Sequence, residues 1–193
     1  MHIKRLMTAA ILAIGLAGTT NAATVAVGGT GTTGAGGITF FNGSPTTDFV
    51  GQPSVWTNAA MIEAATWVQS GGGATNVFRF DFDLTGFDIS TASITVDWAI
   101  DNEGTLDLNG SQIDAIAFGG AAYSTVHSVT VSNPSAFLAG QNTLLFNHAG
   151  DQASDGLRAA VRVTADTAPV PLPASGLLLV AALGGAALLR RKR

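Results

Sequence analysis

The chain has 193 residues, a formal net charge of −4 and no cysteine. All 13 acidic residues lie between Asp48 and Asp166. The only basic residues in that segment are Arg79, Arg158 and Arg162, which leaves it a net charge of −10. A surface of that charge repels phosphate backbones, so nucleic acid is excluded as a partner. Without cysteine, disulfide bonds, thiol catalysis and cysteine-ligated metal sites are excluded as well.

Residues 1–23 have the three parts of a secretory signal peptide. Two basic residues near the start precede an apolar stretch from Leu6 to Ala17, and small residues follow it. Thr20 and Ala22 occupy the −3 and −1 positions of a cut before Ala23. The apolar stretch would form a helix of about 18 Å, too short for a bilayer core of about 30 Å. The sequence therefore predicts export, with signal peptidase as a partner and Ala22 and Ala23 as the cleavage residues.

An all-β ectodomain is predicted for residues 24–166. Alternation is strongest in 77–84, where phenylalanines and Leu84 alternate with charged residues, and in 94–100, where Trp98 lies on the apolar face. A period of two over that length is typical of half-buried strands in an antiparallel sheet. Weaker strand patterns lie at residues 25–27, 38–41, 128–132, 142–148 and 157–164.

The same alternation predicts where individual side chains lie. The residues expected at the centre of the core are Phe80, Phe82, Val96 and Trp98. Arg158 and Arg162 alternate with apolar residues and are expected on a wet face. Residues 61–69 form the only stretch of the ectodomain with helical spacing, and three glycines end it.

The pair Asn109-Gly110 predicts a two-residue β-hairpin, because both residues tolerate positive φ. Its register would place Leu106 opposite Ile113 on the core face and Asp107 opposite Gln112 on the wet face. About eight short strands separated by Gly, Asn and Asp turns predict a two-sheet antiparallel β-sandwich of the jelly-roll type. Strands do not alternate with long helices, which excludes doubly wound and barrel α/β folds.

The C-terminal end is organised as a linker, an apolar helix and a basic stub. Residues 167–173 are the linker, and the apolar stretch 174–189 is predicted to be a transmembrane helix of about 24 Å, which flanking prolines and arginines can extend. The basic stub 190–193 holds that end in the cytoplasm. The motif before the helix consists of Val170, Pro171, Leu172, Pro173 and Ala174. The stub consists of Arg190, Arg191, Lys192 and Arg193.

This order of motif, helix and basic cluster resembles the VPLPA-type PEP-CTERM sorting signals of Gram-negative bacteria. The resemblance implies an exosortase as partner and a bacterium with an exopolysaccharide-rich surface. The chain would then be an inner-membrane-anchored precursor that later reaches the cell surface or the extracellular space. A plain tail anchor that is never cut is the alternative, because hydropathy alone does not separate the two.

The ectodomain is similar to exported PEP-CTERM ectodomains and to the galactose-binding-like jelly rolls attached to bacterial glycosidases. The segments that carry the resemblance are 82–87, 98–102, 108–110, 137–144 and 156–158. These motifs consist mostly of residues that favour turns. The resemblance therefore implies a fold rather than a ligand.

The sequence has no signature of catalysis, and we predict that the protein is not an enzyme. His127 and His148 have no paired-histidine spacing, and no Gly-x-Ser-x-Gly elbow is present. His148 is expected to form a loop pair with Asp151. The carboxylates of Asp81 and Asp83 share a face, but carboxylates on the exposed side of a strand usually form a solvated surface.

A structural calcium ion is the only cofactor that the sequence suggests. Asp101, Glu103 and Asp107 place carboxylates around Gly104, although the spacing is not that of an EF-hand. The alternative is an acidic hairpin tip kept soluble by its charge.

The tryptophans are the residues that would indicate carbohydrate binding, because sugars stack on exposed indoles. Trp98 is expected in the core because it alternates in register with apolar residues, and Trp67 is also expected in the core. Trp56 lies in a loop-rich stretch and is the candidate for an exposed, glycan-binding indole.

Three hypotheses remain for the function. The first is an exported, non-catalytic cell-surface or extracellular-matrix protein sorted by an exosortase. The second is a carbohydrate-binding module associated with a surface polysaccharide, and the third is a hydrolase.

Overall fold

The structure is a computed structural model that describes residues 22–32, 36–69, 75–150 and 155–169, together with residue 182. This part of the chain contains ten β-strands, one short α-helix and one 3-10 turn. The strands are β1 (Ala23–Gly29), β2 (Thr39–Phe40), β3 (Val68–Gln69), β4 (Thr75–Asp83), β5 (Phe87–Asp101), β6 (Glu103–Leu108), β7 (Ser111–Ile116), β8 (His127–Val131), β9 (Gln141–Ala149) and β10 (Gly156–Thr167). The helix is α1 (Gly120–Ser124), and the 3-10 turn spans Pro134–Ala136.

The strands form two five-stranded antiparallel sheets. Sheet 1 has the order β1-β10-β5-β8, with β3 also paired to β10, and sheet 2 has the order β2-β4-β9-β6-β7. Buried side chains from both sheets form one continuous hydrophobic cluster between them. The predicted two-sheet antiparallel β-sandwich is therefore confirmed.

The core lies where the strongest alternation predicted it. Phe80, Phe82, Val96 and Trp98 are all buried in the cluster between the sheets. The Trp98 ring in sheet 1 meets the Phe146 ring in sheet 2 edge-on, with centroids 6.1 Å apart. The indole N–H of Trp98 donates to the carboxylate of Asp114 at 2.9 Å, so its buried donor is satisfied. These contacts join the two sheets directly.

The predicted hairpin between β6 and β7 is present, with Asn109 at φ 52° and Gly110 at φ 82°. Asp107 pairs with Gln112 as predicted. Leu106, however, pairs with Asp114 rather than with Ile113. The predicted register of Leu106 is wrong because the pairing shifts between Leu106 and Asp107, where a β-bulge adds a residue to one strand.

Residues 61–69 have helical spacing in the sequence but do not form a helix. Residues 61–67 form a loop with a bend at residues 62 and 63, and the stretch ends in β3, which pairs with β10. Trp67 and Val68 are buried against sheet 1, so tertiary packing overrides the local pattern. Within the described residues, no helix has both the length and the apolar character needed to span a bilayer.

Both predicted terminal signals lie almost wholly outside the described residues. From the signal peptide only Ala22 and Ala23 are described, and Ala23 is already the first residue of β1. From the predicted helix 174–189 only residue 182 is described. The motif from Val170 to Ala174 and the stub from Arg190 to Arg193 lie outside the described residues.

Candidate functional site

The outer face of sheet 1 is covered by a segment of the chain. Arg158, on β10, donates from its guanidinium to the carbonyl oxygens of Ala65 at 3.1 Å, Thr57 at 3.2 Å and Ala59 at 2.9 Å. Its exposed fraction is 8%, and burial lowers the pKa of Arg158 from its ordinary value. Arg158 was expected on a wet face. That expectation is wrong because residues 57–65 lie across the strand.

More contacts hold this covering segment in place. The carboxylate of Asp97, on β5, accepts a hydrogen bond from the backbone N–H of Ile62 at 2.6 Å. Arg162 forms an ion pair with Glu63 at 2.7 Å and donates to the carbonyl of Ile62. The outward-pointing side chains of Asp97, Arg158 and Arg162 on sheet 1 are therefore hydrogen-bonded to the covering segment.

Trp56 and Trp67 form a second hydrophobic cluster under the covering segment, packed against Ala99. The two rings lie 4.3 Å apart, and the indole N–H of Trp56 donates to the carboxylate of Asp101 at 3.1 Å. The exposed fraction of Trp56 is 3%, so the expectation of an exposed, glycan-binding indole is wrong. The short side chain of Ala99 leaves room for the indoles on the outer side of the strand. Trp67 is buried as predicted, but in this second cluster.

The three carboxylates expected to hold calcium do not converge. Asp101 ends β5 in sheet 1 and Glu103 begins β6 in sheet 2, so the predicted hairpin tip is a crossing between the sheets. One carboxylate oxygen of Asp101 accepts from Trp56, whereas Asp107 accepts from Asn147 on sheet 2. No group of three His, Cys, Asp or Glu residues within the described segments could hold a metal ion. The structure therefore does not bring Asp101, Glu103 and Asp107 together as one calcium-binding group.

The outer face of sheet 2 carries a set of polar side chains that we call the polar face. It consists of Arg79, Asp81, Thr105, Asp107, Thr143 and Asn147. Pairing of β9 with β6 places Asn147 opposite Thr105. The side-chain amide of Asn147 donates to the hydroxyl of Thr105 at 3.1 Å and to the carboxylate of Asp107 at 2.7 Å. The sequence analysis missed Thr105 and Asn147; their place on the polar side of alternating strands was the available signal.

The other end of the polar face is organised around Asp81. Its carboxylate is paired with Arg79 at 2.7 Å and accepts from the hydroxyl of Thr143 at 2.7 Å. Asp83, on the same strand, accepts from the hydroxyl and the backbone N–H of Thr85, and these bonds lower the pKa of Asp83. The Phe41 ring lies beside Arg79, with the guanidinium carbon 6.0 Å from the ring centroid. Asp81 and Asp83 thus form a solvated, hydrogen-bonded face, as predicted.

A groove of about 430 Å³ adjoins the polar face next to Asn147 and Thr105. Its lining includes the short side chains of Ala115, Ala117 and Ala149, together with Glu103, so we call it the alanine groove. Its volume falls within the range of about 300–1,000 Å³ that is common for small-molecule sites.

A smaller depression of about 150 Å³ shares Glu103 and Ala149 with the alanine groove and is bounded by Phe118. The exposed fraction of Phe118 is 70%. An apolar floor, hydrogen-bonding walls and an exposed aromatic ring therefore meet at one end of sheet 2. The sequence analysis did not identify Phe118, because nothing local distinguishes it from the phenylalanines of the core.

His148 has a structural position between the two sheets. It is fully buried, and its Nε2 lies 2.6 Å from the backbone carbonyl of Asp101, which requires the proton on Nε2. This bond joins β9 in sheet 2 to the end of β5 in sheet 1. Its predicted partner, Asp151, lies outside the described residues.

The motif around Asn142 is structural as well. Asn142 is buried, and its amide group accepts from the N–H of Leu138 and donates to the carbonyls of Leu138 and Gly140. The amide of Asn109 also donates to it, at 2.8 Å. Residues 108–110 and 137–144, which carry part of the resemblance, therefore form a hydrogen-bond network that fixes the β6–β7 turn and the loop before β9.

No protein family matches the sequence, and no curated protein matches it either. Among solved structures, it is similar to a family 35 carbohydrate-binding module from an environmental isolate, at 17% identity and a TM-score of 0.34, over 69% of this chain and 94% of that one. It is also similar to the module CBM36 in complex with calcium and xylotriose, at 16% identity and a TM-score of 0.34, over 55% of this chain and 86% of that one.

A further likeness is to the β-glucosidase from Kluyveromyces marxianus in complex with glucose, at 10% identity and a TM-score of 0.33. That match covers 50% of this chain and only 10% of the glucosidase. TM-scores this low assign no family, ligand or activity to the chain.

Proposed function

We propose that this chain is a non-catalytic carbohydrate-binding protein, a galactose-binding-like jelly roll whose ligand lies along the polar face and in the alanine groove. The observation that carries the proposal is the junction of three features at one place. These are the hydrogen-bonded pair Asn147 and Thr105, the apolar floor of the groove, and the exposed ring of Phe118. A sugar ring presents hydroxyl groups at its rim and C–H groups on its faces, so it requires both kinds of surface.

The polar groups of this site are held in position before any ligand arrives. Asn147 is oriented by Thr105 and Asp107, and Asp81 is oriented by Arg79 and Thr143. Side chains that are already ordered lose little conformational entropy when they bind a ligand. Each carboxylate offers about four lone-pair sites. Acceptor capacity therefore remains for sugar hydroxyls.

The same geometry does not favour a hydrolase. Glycoside hydrolysis needs two carboxyl groups, of which one is a general acid with a raised pKa. The pKa of Asp83 is instead lowered by Thr85, so Asp83 is ionised at neutral pH. Asp81 is already engaged by Arg79 and Thr143. The alternative of a binding protein fits this face better.

We further propose that the chain is exported and is sorted at the envelope of a Gram-negative bacterium by an exosortase. This proposal rests on the sequence resemblance of the C-terminal end. Pairing of β10 with β5 places Thr167 next to Phe87, whereas Gly156 lies next to Asp101, at the end where the groove is found. At about 3.3 Å per residue, β10 separates the two ends by about 35 Å. A tether after Thr167 would leave the groove accessible.

Carbohydrate binding can be tested on the full-length chain in a polyoxyethylene detergent, which carries no sugar. Calorimetry against a panel of soluble polysaccharides should find a ligand. Phe118→Ala should weaken its affinity about fivefold, since a lost aromatic contact is worth on the order of 1 kcal/mol. Leu138→Ala, at another exposed apolar residue, is the matched control and should have no effect. Failure of every polysaccharide to bind, or equal affinity in Phe118→Ala, would contradict the proposal.

Sorting is tested separately by the intact mass of the protein recovered from cells. Loss of both ends, with cuts near Ala23 and within 170–174, is expected. A mature mass that retains residues 190–193 would show an ordinary tail anchor, and an N-terminus at Met1 in exported material would refute export through a cleaved signal peptide.

A further inference from the structure

Each of the three arginines in the described part of the ectodomain already has a protein partner. Arg79 is paired with Asp81, and Arg162 is paired with Glu63. Arg158 is buried against backbone carbonyls. The sequence contains no other lysine or arginine between Thr24 and Asp166. An anionic ligand would therefore meet no lysine, and it would compete with a protein carboxylate for the exposed Arg79 or Arg162.

The walls of the site carry negative charge. Glu103 is exposed and lines both the groove and the smaller depression, and Asp107 lies four residues further along the same strand. Asp81 lies on the same face of the sheet. At physiological ionic strength, screening acts over about 8 Å, so a ligand in contact with these carboxylates remains within their field.

Beside the alanine groove the hydrogen-bonding groups are mainly acceptors, namely the carboxylates of Glu103 and Asp107 and the amide oxygen of Asn147, with the hydroxyl of Thr105 as a donor. A side-chain amide has two N–H donors. In Asn147 the amide nitrogen already donates to Thr105 and to Asp107, which leaves its carbonyl oxygen as the free group. The hydroxyl of Thr143 donates to Asp81. Ligand hydroxyl groups can donate to such a surface, whereas carboxylate and sulfate groups only accept.

We infer that the site takes a glycan without anionic groups and rejects polyuronates and sulfated or phosphorylated polymers. The inference rests on the proposed function and deepens it. The negative charge disfavours an anionic ligand, and the acceptors independently favour a ligand that donates hydrogen bonds.

A matched pair of ligands tests this inference on the full-length chain. The probes are the uncharged polysaccharide of the panel that binds best, and the same polymer after partial oxidation of its primary hydroxyl groups to carboxylates. Oxidation should weaken binding at least about tenfold at low ionic strength, and added salt should recover part of the loss because it screens the repulsion. Glu103→Gln should also recover part of the affinity for the oxidised polymer. Asp88→Asn, at the opposite end of β5, is the matched control and should not.

The outcomes separate the inference from the function on which it rests. If the oxidised polymer binds as tightly as its parent and Phe118→Ala weakens both, the function holds and the inference is overturned. If only a polyuronate or a sulfated polymer of the panel binds, the inference is overturned as well. If no polymer binds, both fail. An amino-sugar polymer whose binding persists in salt and weakens in Phe118→Ala supports the inference.

Discussion

The two outer faces of this sandwich are built from the same alternating pattern but have different surroundings. On sheet 1, the outward side chains of Asp97, Asp101 and Arg158 are bonded to residues 56–65 of the chain itself. On sheet 2, the outward side chains are bonded to their neighbours on the same face, as Asn147 is to Asp107. A covered face uses its polar groups to hold a loop, whereas an open face leaves part of them exposed to solvent.

The comparison also explains why aromatic residues mislead when they are judged by their local sequence. Trp56 lies in a loop-rich stretch and is nevertheless buried, because its loop folds onto sheet 1. Phe118 follows β7 and is exposed, although phenylalanines elsewhere in the chain form the core. What decides exposure is the element that covers a face, not the residue type.

The largest expected effect belongs to the covered face. Trp67→Ala should lower the free energy of unfolding by about 3–5 kcal/mol, because it removes a buried indole from the second cluster. That is a large part of a typical total of about 5–15 kcal/mol. Denaturant unfolding measures the change. The exposed Phe118 provides the control, since Phe118→Ala should change stability by about 0.5 kcal/mol or less. Equal stability of the two variants would show that the covering segment does not pack as described.

Arg158 gives the second test, because it holds the covering segment by hydrogen bonds. Arg158→Met should cost about 1.5–3 kcal/mol, the range for hydrogen bonds to charged groups, and should make residues 57–65 more sensitive to protease. Arg162→Met is the matched control: its ion pair with Glu63 is 43% exposed on the arginine side, so about 0–1 kcal/mol is expected. If both substitutions behaved alike, Arg158 would not be the residue that closes this face.

The smallest effect on stability is expected for the exposed carboxylate of Asp83. The hydroxyl and N–H of Thr85 hold the pKa of Asp83 below its ordinary value of 3.8, so this group stabilises the fold above that value. The contribution is lost as the pH falls through the lowered pKa of the folded state. Asp83→Asn should therefore melt slightly below the parent at neutral pH, and the difference should vanish in acid. Thermal melting across the acid range measures this, and a difference that grew in acid would contradict it.

Much of the fold could be predicted because the signals involved are local. The alternation in 77–84 and 94–100 predicts which side chains enter the core, since successive side chains of a strand point to opposite faces. The positive φ angles of Asn109 and Gly110 follow from residue type. The site was less predictable, because its members come from distant parts of the chain. Thr105 and Asn147 are separated by 42 positions and meet only through the pairing of β6 with β9.

By itself, the sequence determined most of the long strands, their core faces, the hairpin turn and the acidic character of the domain, all of which depend on residue type and on periods of a few residues. The tertiary structure alone decided that Trp56 and Arg158 are buried, that Asp101 and Glu103 belong to different sheets, and that the groove opens on sheet 2. The physical reason is that alternation assigns a side chain to a face of its strand. Whether water, a second sheet or a loop lies against that face depends on contacts between residues far apart in the chain.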